Sequence, residues 1–365
     1  MSHPVKKDVH QIQAAVLRPQ SSSLKIETLE LQGPREDEVL VHLLASGICH
    51  TDIDFMDGWK DTPVVLGHEG AGVVKEVGKS VKAVEPGDHV VLSYQSCGLC
   101  PECLRGHPTG CERFWEANFG FARLDGSNAL EGSGVRGHFF GQSSFATHTL
   151  ATERNLVKVP KDLPLELLAP LGCGFQTGAG TVLTSLQVAS GASLAVFGTG
   201  AVGLAAIMAA RLTGAHPIIG VDLNPQRLAL ALELGATQVI DNGREDAVSC
   251  VAAITGGGVD YVLEITGVGG MYRLAVEILN PGGTVALIAT PNGSISLPQG
   301  RKTQSIIQGD AVPQSFIPKM IALYQAGQFP FDRLVKFYDF WEINRAIAAA
   351  QRGDTIKPVL RMGRL

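Results

Sequence analysis

The chain has 365 residues, 45% hydrophobic and 18% charged, with a formal net charge of −5. That composition fills one or two real cores, excludes a low-complexity disordered chain, and gives no electrostatic reason to expect nucleic acid or an anionic membrane as partner. Glycine is abundant, 43 residues against a usual share of about 7%, so tight turns and close backbone approaches are expected.

Taken in chain order, Met1 to His10 is polar and lacks the apolar stretch of a secretory signal, which points to a cytoplasmic protein. Short strands between turn residues follow: Glu38 to Leu44, Gly72 to Val77, and His89 to Leu92 after Pro86-Gly87-Asp88. Cys97 to Ser133 shows little periodicity but many Cys, Gly and aromatic residues, a lobe held by something other than a core. Leu167 to Ala210 carries no charge and is long enough to span a bilayer. Its glycines, Pro170 and the strand–turn–helix pattern of its second half mark it as buried core instead. From about Ser193, apolar runs alternate with Ala/Leu-rich helical stretches: Leu194 to Phe197, a helix to about Leu212, Pro217 to Val221, a helix Arg227 to Leu234, Tyr261 to Ile265 and Thr284 to Ala289. This alternation predicts a doubly wound parallel sheet, hence an α/β fold preceded by a mostly-β region. Helical segments after about Pro318 end in a strand-like run, Lys357 to Arg361, whose partner periodicity cannot name.

Gly198-Thr199-Gly200-Ala201-Val202-Gly203 follows a strand-like run and opens an Ala-rich helix. In that setting the first Gly permits the turn, the second lets a pyrophosphate approach the backbone, and the third lets helix and strand pack. The helix N-terminus offers free N–H groups to the phosphates. Asp222 ends the next strand, where a carboxylate accepts from an adenosine ribose diol and repels a 2′-phosphate. NAD is therefore favoured, with Arg227 close enough to keep NADP open.

Six of the seven cysteines read as metal ligands rather than a disulfide framework, and Cys250, in a helix-like stretch, as a small buried hydrophobe. Cys97, Cys100, Cys103 and Cys111 supply four thiolates from one loop, a closed tetrahedral set suited to structural zinc. An iron–sulfur cluster or four unligated thiols are the alternatives. Cys49, His68 and Cys173, with Glu69 beside His68, match a catalytic zinc with three protein ligands and one open position. Spacing cannot unite residues so far apart, and each alone also reads as packing or a satisfied turn.

Together, Gly47-Ile48-Cys49-His50-Thr51-Asp52, Gly67-His68-Glu69-Gly70, the four-Cys loop, Gly172-Cys173-Gly174 and the Gly198 to Gly203 turn resemble the zinc-containing medium-chain alcohol dehydrogenases over essentially the whole chain. The resemblance implies a GroES-like catalytic domain at 1–180 and 321–365 with a structural zinc lobe at 94–115, and a Rossmann NAD-binding domain at 181–320. It implies two zinc ions per subunit, the catalytic one on Cys49, His68 and Cys173, with Glu69 behind it, tuning it or exchanging as a ligand. Within the family the chain looks most like the aryl-alcohol (benzyl alcohol) and allylic terpene-alcohol dehydrogenases, through His138 to Phe145, Pro170 to Gly174 and Gly327 to Asp332. Phe139, Phe140 and Phe145, with Trp59, fall on its pocket. Thr51 begins the proton relay, Asp52 orients His68, Thr177 and Val202 meet the nicotinamide, and Lys357 sits near a phosphate position.

The function implied is reversible oxidation of a primary aryl or allylic alcohol to its aldehyde, in a homodimer or homotetramer. Two positions depart from the family pattern. His50 stands where an Arg often grips the pyrophosphate, and Asp54 where a His often finishes the relay. A hydroxymethylglutathione dehydrogenase is the rival, with Lys60 and Arg123 as candidates for the tripeptide carboxylates. A general aliphatic alcohol dehydrogenase and a non-enzymatic NAD-binding protein are further alternatives.

Overall fold

The computed structural model describes residues 9–59, 61–289 and 296–363. The chain divides into two compact units: Met1–Cys173 with Val312–Pro318 and Asp332–Leu365, and Gly174–Ala311 with Lys319–Phe331.

The first unit opens with β1 (Val9–Leu17) and β2 (Leu24–Gln32), paired antiparallel along their whole length, then β3 (Glu38–Gly47). β4 (Val64–Val65), β5 (Glu69–Val77), β6 (His89–Leu92), β7 (Leu130–Glu131), β8 (His148–Thr152) and β9 (Leu156–Lys158) follow. One sheet has the order β4-β1-β2-β7. Of the residues of β2, between β1 and β7, only Leu24, Leu29 and Leu31 are buried. β3 runs three residues beyond the expected Leu44. It ends at the glycine that leads into Cys49, so the strand delivers that residue.

In the second unit β10 (Leu194–Phe197), β11 (Ile218–Asp222), β12 (Gln238–Asp241), β13 (Val259–Glu264), β14 (Leu279–Leu287) and β15 (Lys302–Ser305) form a wholly parallel sheet. Its order is β12-β11-β10-β13-β14-β15, which is the dinucleotide-binding arrangement 3-2-1-4-5-6. Every residue of central β10 is fully buried, as helices on both faces require. Pairing of β13 with β14 shifts after Val259 and resumes at Tyr261 with Thr284. Pro281, which has no N–H to donate, lies in the gap.

The tail returns to the first unit. β16 (Val335–Asp339) pairs parallel with β17 (Lys357–Arg361), and β17 pairs antiparallel with the end of β3. The second sheet of that unit is therefore β16-β17-β3-β5-β6-β9, with β8 also on β3. Residues 312 to 316 positions apart, Val359 with Gly47 to Arg361 with Ala45, are thereby joined, and β17 begins beside the loop that carries Cys49.

Candidate active site

Cys49 precedes the helix His50–Gly58, and its N–H donates to Asp52 Oδ2 at 2.9 Å. The other oxygen of that fully buried carboxylate accepts from the Gly67 N–H at 3.0 Å and meets His68 Nδ1 at 3.0 Å. Asp52 thus fixes the proton on Nδ1 and leaves the lone pair of Nε2 free. Gly67 permits the turn: its φ is +89°, and a Cβ there would stand 2.4 Å from the Phe145 nitrogen. One ligand atom from each of Cys49, His68, Glu69 and Cys173 lies within 4.8 Å of the others, and His68, Glu69 and Cys173 are buried.

This donor set fits zinc: two sulfurs, an imidazole nitrogen and a carboxylate, in a dry site. His68 Nε2 is buried with no hydrogen-bond partner in the protein, as a metal-facing nitrogen should be. Hydrogen bonding from Cys173, with the positive charges of His68 and Lys357 adding, holds the Cys49 thiol well below its ordinary pKa despite burial. Burial draws the His68 pKa down, but Asp52 and Cys49 outweigh it and carry it up to about 10. The upward shift of His68 expresses the negative charge gathered around it by Asp52 and Cys49, which a bound cation would offset.

Glu69 is fixed by Lys357, whose ammonium donates to both its oxygens at 2.8 and 3.0 Å and to the Ile48 carbonyl at 3.1 Å. Lys357 is 3% exposed. All three of its protons are committed, so it does not take the phosphate expected of it. Burial at the start of β17 turns it inward to the one carboxylate that can offset its charge.

An aromatic wall covers the cluster. Phe140 stacks on His68 with ring centroids 4.4 Å apart, and Phe139 meets it edge-on at 5.5 Å. Phe139 also touches Phe55, Phe119 and Phe121 at 5.0, 5.9 and 5.3 Å. Trp59 packs on Phe121 at 4.7 Å and donates its indole N–H to the Thr62 carbonyl. Phe145 is fully buried behind Gly67, and its N–H bonds the Leu66 carbonyl. It backs the His68 turn rather than joining the ring cluster. Thr51 Oγ1 lies 3.8 Å from Cys49 Sγ, while His50 and Asp54 are on the exposed side of the helix. Partial loss of hydration lifts the Asp54 pKa, with His50 opposing and Cys49 and Asp57 adding.

The second cluster gathers Cys97, Cys100, Cys103 and Cys111, again with every ligand atom within 4.8 Å of the rest. Backbone N–H groups of Cys97 and Cys100 point at the sulfurs of Cys111 and Cys97, at 3.3 and 3.4 Å. Leu99 and Leu104 of this lobe are 82% and 73% exposed. With these leucines outside, it is the four gathered thiolates, suited to a closed metal site, rather than an apolar core that mark the centre of the lobe.

In the second unit Gly198 turns with φ +94°, and a Cβ on Gly203 would stand 1.9 Å from the Gly198 carbonyl. The helix Ala201–Thr213 starts there, at the carboxyl end of β10. Gly178 lets the helix Gly174–Gly180 approach to within 2.0 Å (Cβ to oxygen) of the Val202 carbonyl, which places Thr177 and Val202 on adjoining helices. Asp222 ends β11. Arg227 belongs to the next helix, Pro225–Leu234, and its Nε is buried without a partner.

Residues 35–161 match the alcohol dehydrogenase GroES-like domain, and residues 201–325 match the zinc-binding dehydrogenase family. A geraniol dehydrogenase of Castellaniella defragrans is 46% identical over 97% of this chain and 98% of its own. The chain belongs to the zinc-binding alcohol dehydrogenases. Among solved structures of the family, an alcohol dehydrogenase zinc-binding domain protein from Burkholderia ambifaria is 48% identical with a TM-score of 0.94, covering 98% of this chain and 100% of that one. Benzyl alcohol dehydrogenase from Acinetobacter calcoaceticus is 42% identical with a TM-score of 0.93, covering 97% and 100%. Like other members of the family, this alcohol dehydrogenase has a GroES-like domain, a Rossmann NAD-binding domain and two distinct metal-ligand clusters.

Arg123 does not stand at a pocket mouth. It is 9% exposed, forks onto both oxygens of Glu38 at 2.6 and 3.0 Å, and donates to Gln32. Lys60 lies outside the described residues. No sequence pattern singles out Phe55, Phe119 and Phe121, whose meeting depends on how separate segments pack. Among the described residues no helix is long and apolar enough to cross a membrane.

Proposed function

We propose that the enzyme oxidises primary aryl or allylic alcohols to aldehydes with NAD, reversibly. The observation that carries this reading is the pair of rings set against the metal-ligating imidazole of His68, Phe140 stacked on it and Phe139 edge-on. When bound, zinc supplies Lewis acidity at the cluster and NAD supplies a hydride acceptor. Cys49, His68 and Cys173 hold the metal, with Glu69 behind it, and Asp52 keeps His68 in the ligating tautomer. Thr51, beside Cys49, accepts the substrate hydroxyl proton, and Asp54 or water takes it onward. Phe139 and Phe140, both buried, exclude water from the cluster and give it an apolar aromatic wall that suits an unsaturated group.

On the cofactor side, the Gly198 to Gly203 turn and the helix it opens receive the pyrophosphate, aided by His50. Asp222 reads the adenosine ribose, and Thr177 and Val202 support the nicotinamide. A tripeptide substrate has no cation to meet at Arg123, which Glu38 neutralises. A homodimer or homotetramer in the cytoplasm completes the proposal; seven cysteines without a disulfide suit a reducing compartment.

The test is the initial rate of NAD reduction with benzyl alcohol, cinnamyl alcohol, geraniol and ethanol at equal concentrations. We expect kcat/KM for the first three to exceed that for ethanol by two orders of magnitude or more, since burying an aryl or allylic group adds roughly 3 kcal/mol. Ethanol equal to benzyl alcohol would remove the aromatic wall from specificity.

A further inference from the structure

The Asp222 carboxylate has no free acceptor site. Its Oδ2 takes the Thr199 N–H at 2.7 Å and the Thr199 hydroxyl at 2.9 Å. Its Oδ1 takes the N–H groups of Leu223 and Asn224 at 2.8 and 2.9 Å. An ionised carboxylate offers about four lone-pair positions, and all four are filled by the chain itself. The backbone bond from residue 199 is open to any amino acid. The hydroxyl bond is what threonine adds at a position where the turn needs no side chain.

We propose that Thr199 positions Asp222 and thereby sets the preference of this enzyme for NAD over NADP, a role that rests on Asp222 reading the adenosine ribose. The threonine has little freedom. It is fully buried between Gly198 and Gly200, and its methyl group lies 3.3 Å from where a Cβ on Gly220 of β11 would stand. A β-branched side chain so wedged keeps one rotamer, with its hydroxyl aimed at Oδ2. The carboxylate is thus clamped between the glycine turn and the end of β11.

A ribose diol brings donors, and one of them can take over the position at Oδ1 held by the exposed Leu223 N–H. A 2′-phosphate brings only negative charge, and is admitted only if the carboxylate swings away. Arg227, on the helix that starts two residues after Leu223, has a buried Nε with no partner and is the group a phosphate would recruit. The Thr199 hydroxyl opposes that swing.

The experiment is equilibrium binding of NADH and of NADPH to the zinc-loaded enzyme without alcohol, followed by reduced-nicotinamide fluorescence. T199V, T199S, D222N and T199V/R227Q are compared with wild type, each with a melting curve to check folding. We expect T199V to shift the NADPH-to-NADH affinity ratio on the order of tenfold toward NADPH, the scale of losing one hydrogen bond to a charged group. T199S should restore the wild-type ratio, and T199V/R227Q should lose the gain. An equal loss of both nucleotides in T199V would mean that Thr199 only shapes the loop, and would overturn the proposal. So would a ratio shifted by D222N but not by T199V. If neither variant moves the ratio, the ribose reading of Asp222 itself fails. Should T199V not fold, T199A carries the same expectation, with T199S as its rescue.

Discussion

Single side chains in this enzyme act by joining segments that are remote in sequence. Asp52 binds the Cys49 N–H and the His68 ring; Lys357 binds Glu69 and the carbonyl before Cys49. The Glu69–Lys357 pair is completely enclosed, with side-chain exposures of 0% and 3%. Removing one partner of such a pair strands a charge, which is far more damaging than replacing both. Lys357→Met should therefore lower unfolding stability by about 3–5 kcal/mol, read as a shift of the denaturant midpoint. It should also lower the retention of one zinc per chain on dialysis while the four-Cys zinc stays. A variant with wild-type stability and two retained zinc ions would show that Glu69 does not need its counterion. The location of Lys357 was not legible in the sequence: a lone Lys in a strand-like run looks exposed until its strand is known to lie against β3.

At the scale of elements, the pairing of β3 with β8 sets two histidines face to face. His42 and His148 are direct register partners, and their rings stack with centroids 4.8 Å apart. Burial, then His42, His10 and Lys75, push the His148 pKa down to about 4. Burial and Lys75 also lower that of His42. His10 in turn faces Glu76 at 3.5 Å. A histidine with a depressed folded pKa binds fewer protons in the native state than in the unfolded one. Its contribution to stability is complete above about pH 6.5 and is lost as the pH falls toward 4. We expect about 1–2 kcal/mol to disappear across that window, after screening at a half-buried site. His148→Gln should flatten this part of the curve of melting temperature against pH. An unchanged slope would assign the acid sensitivity elsewhere. No sequence pattern announces this pair, because strand register is fixed by partners more than a hundred residues apart.

Across the whole molecule, legibility followed the range of the forces involved. The parallel sheet was readable because each of its strands and helices carries its own local period, and its glycine turn is contiguous. The four-Cys loop was readable for the same reason. The mixed cluster of Cys49, His68, Glu69 and Cys173 needed a family resemblance, since three separate segments meet there. The rings of Phe55, Phe119 and Phe121 went unseen, because a wall is a property of packing. These two kinds of site also fall in different units of the chain. Both metal clusters lie within Met1–Cys173, whereas the glycine turn and Asp222 lie within Gly174–Ala311. A ligand stabilises the cooperative unit that binds it, by about 2.7 kcal/mol at a hundred times its dissociation constant. Calorimetry should accordingly show two transitions for the zinc-loaded enzyme. Excess NADH should raise the one belonging to the parallel-sheet unit, and a chelator should lower the other and leave the first in place. If either reagent moves both transitions together, folding is a single event, and the zinc and dinucleotide sites are coupled through the stability of the entire chain.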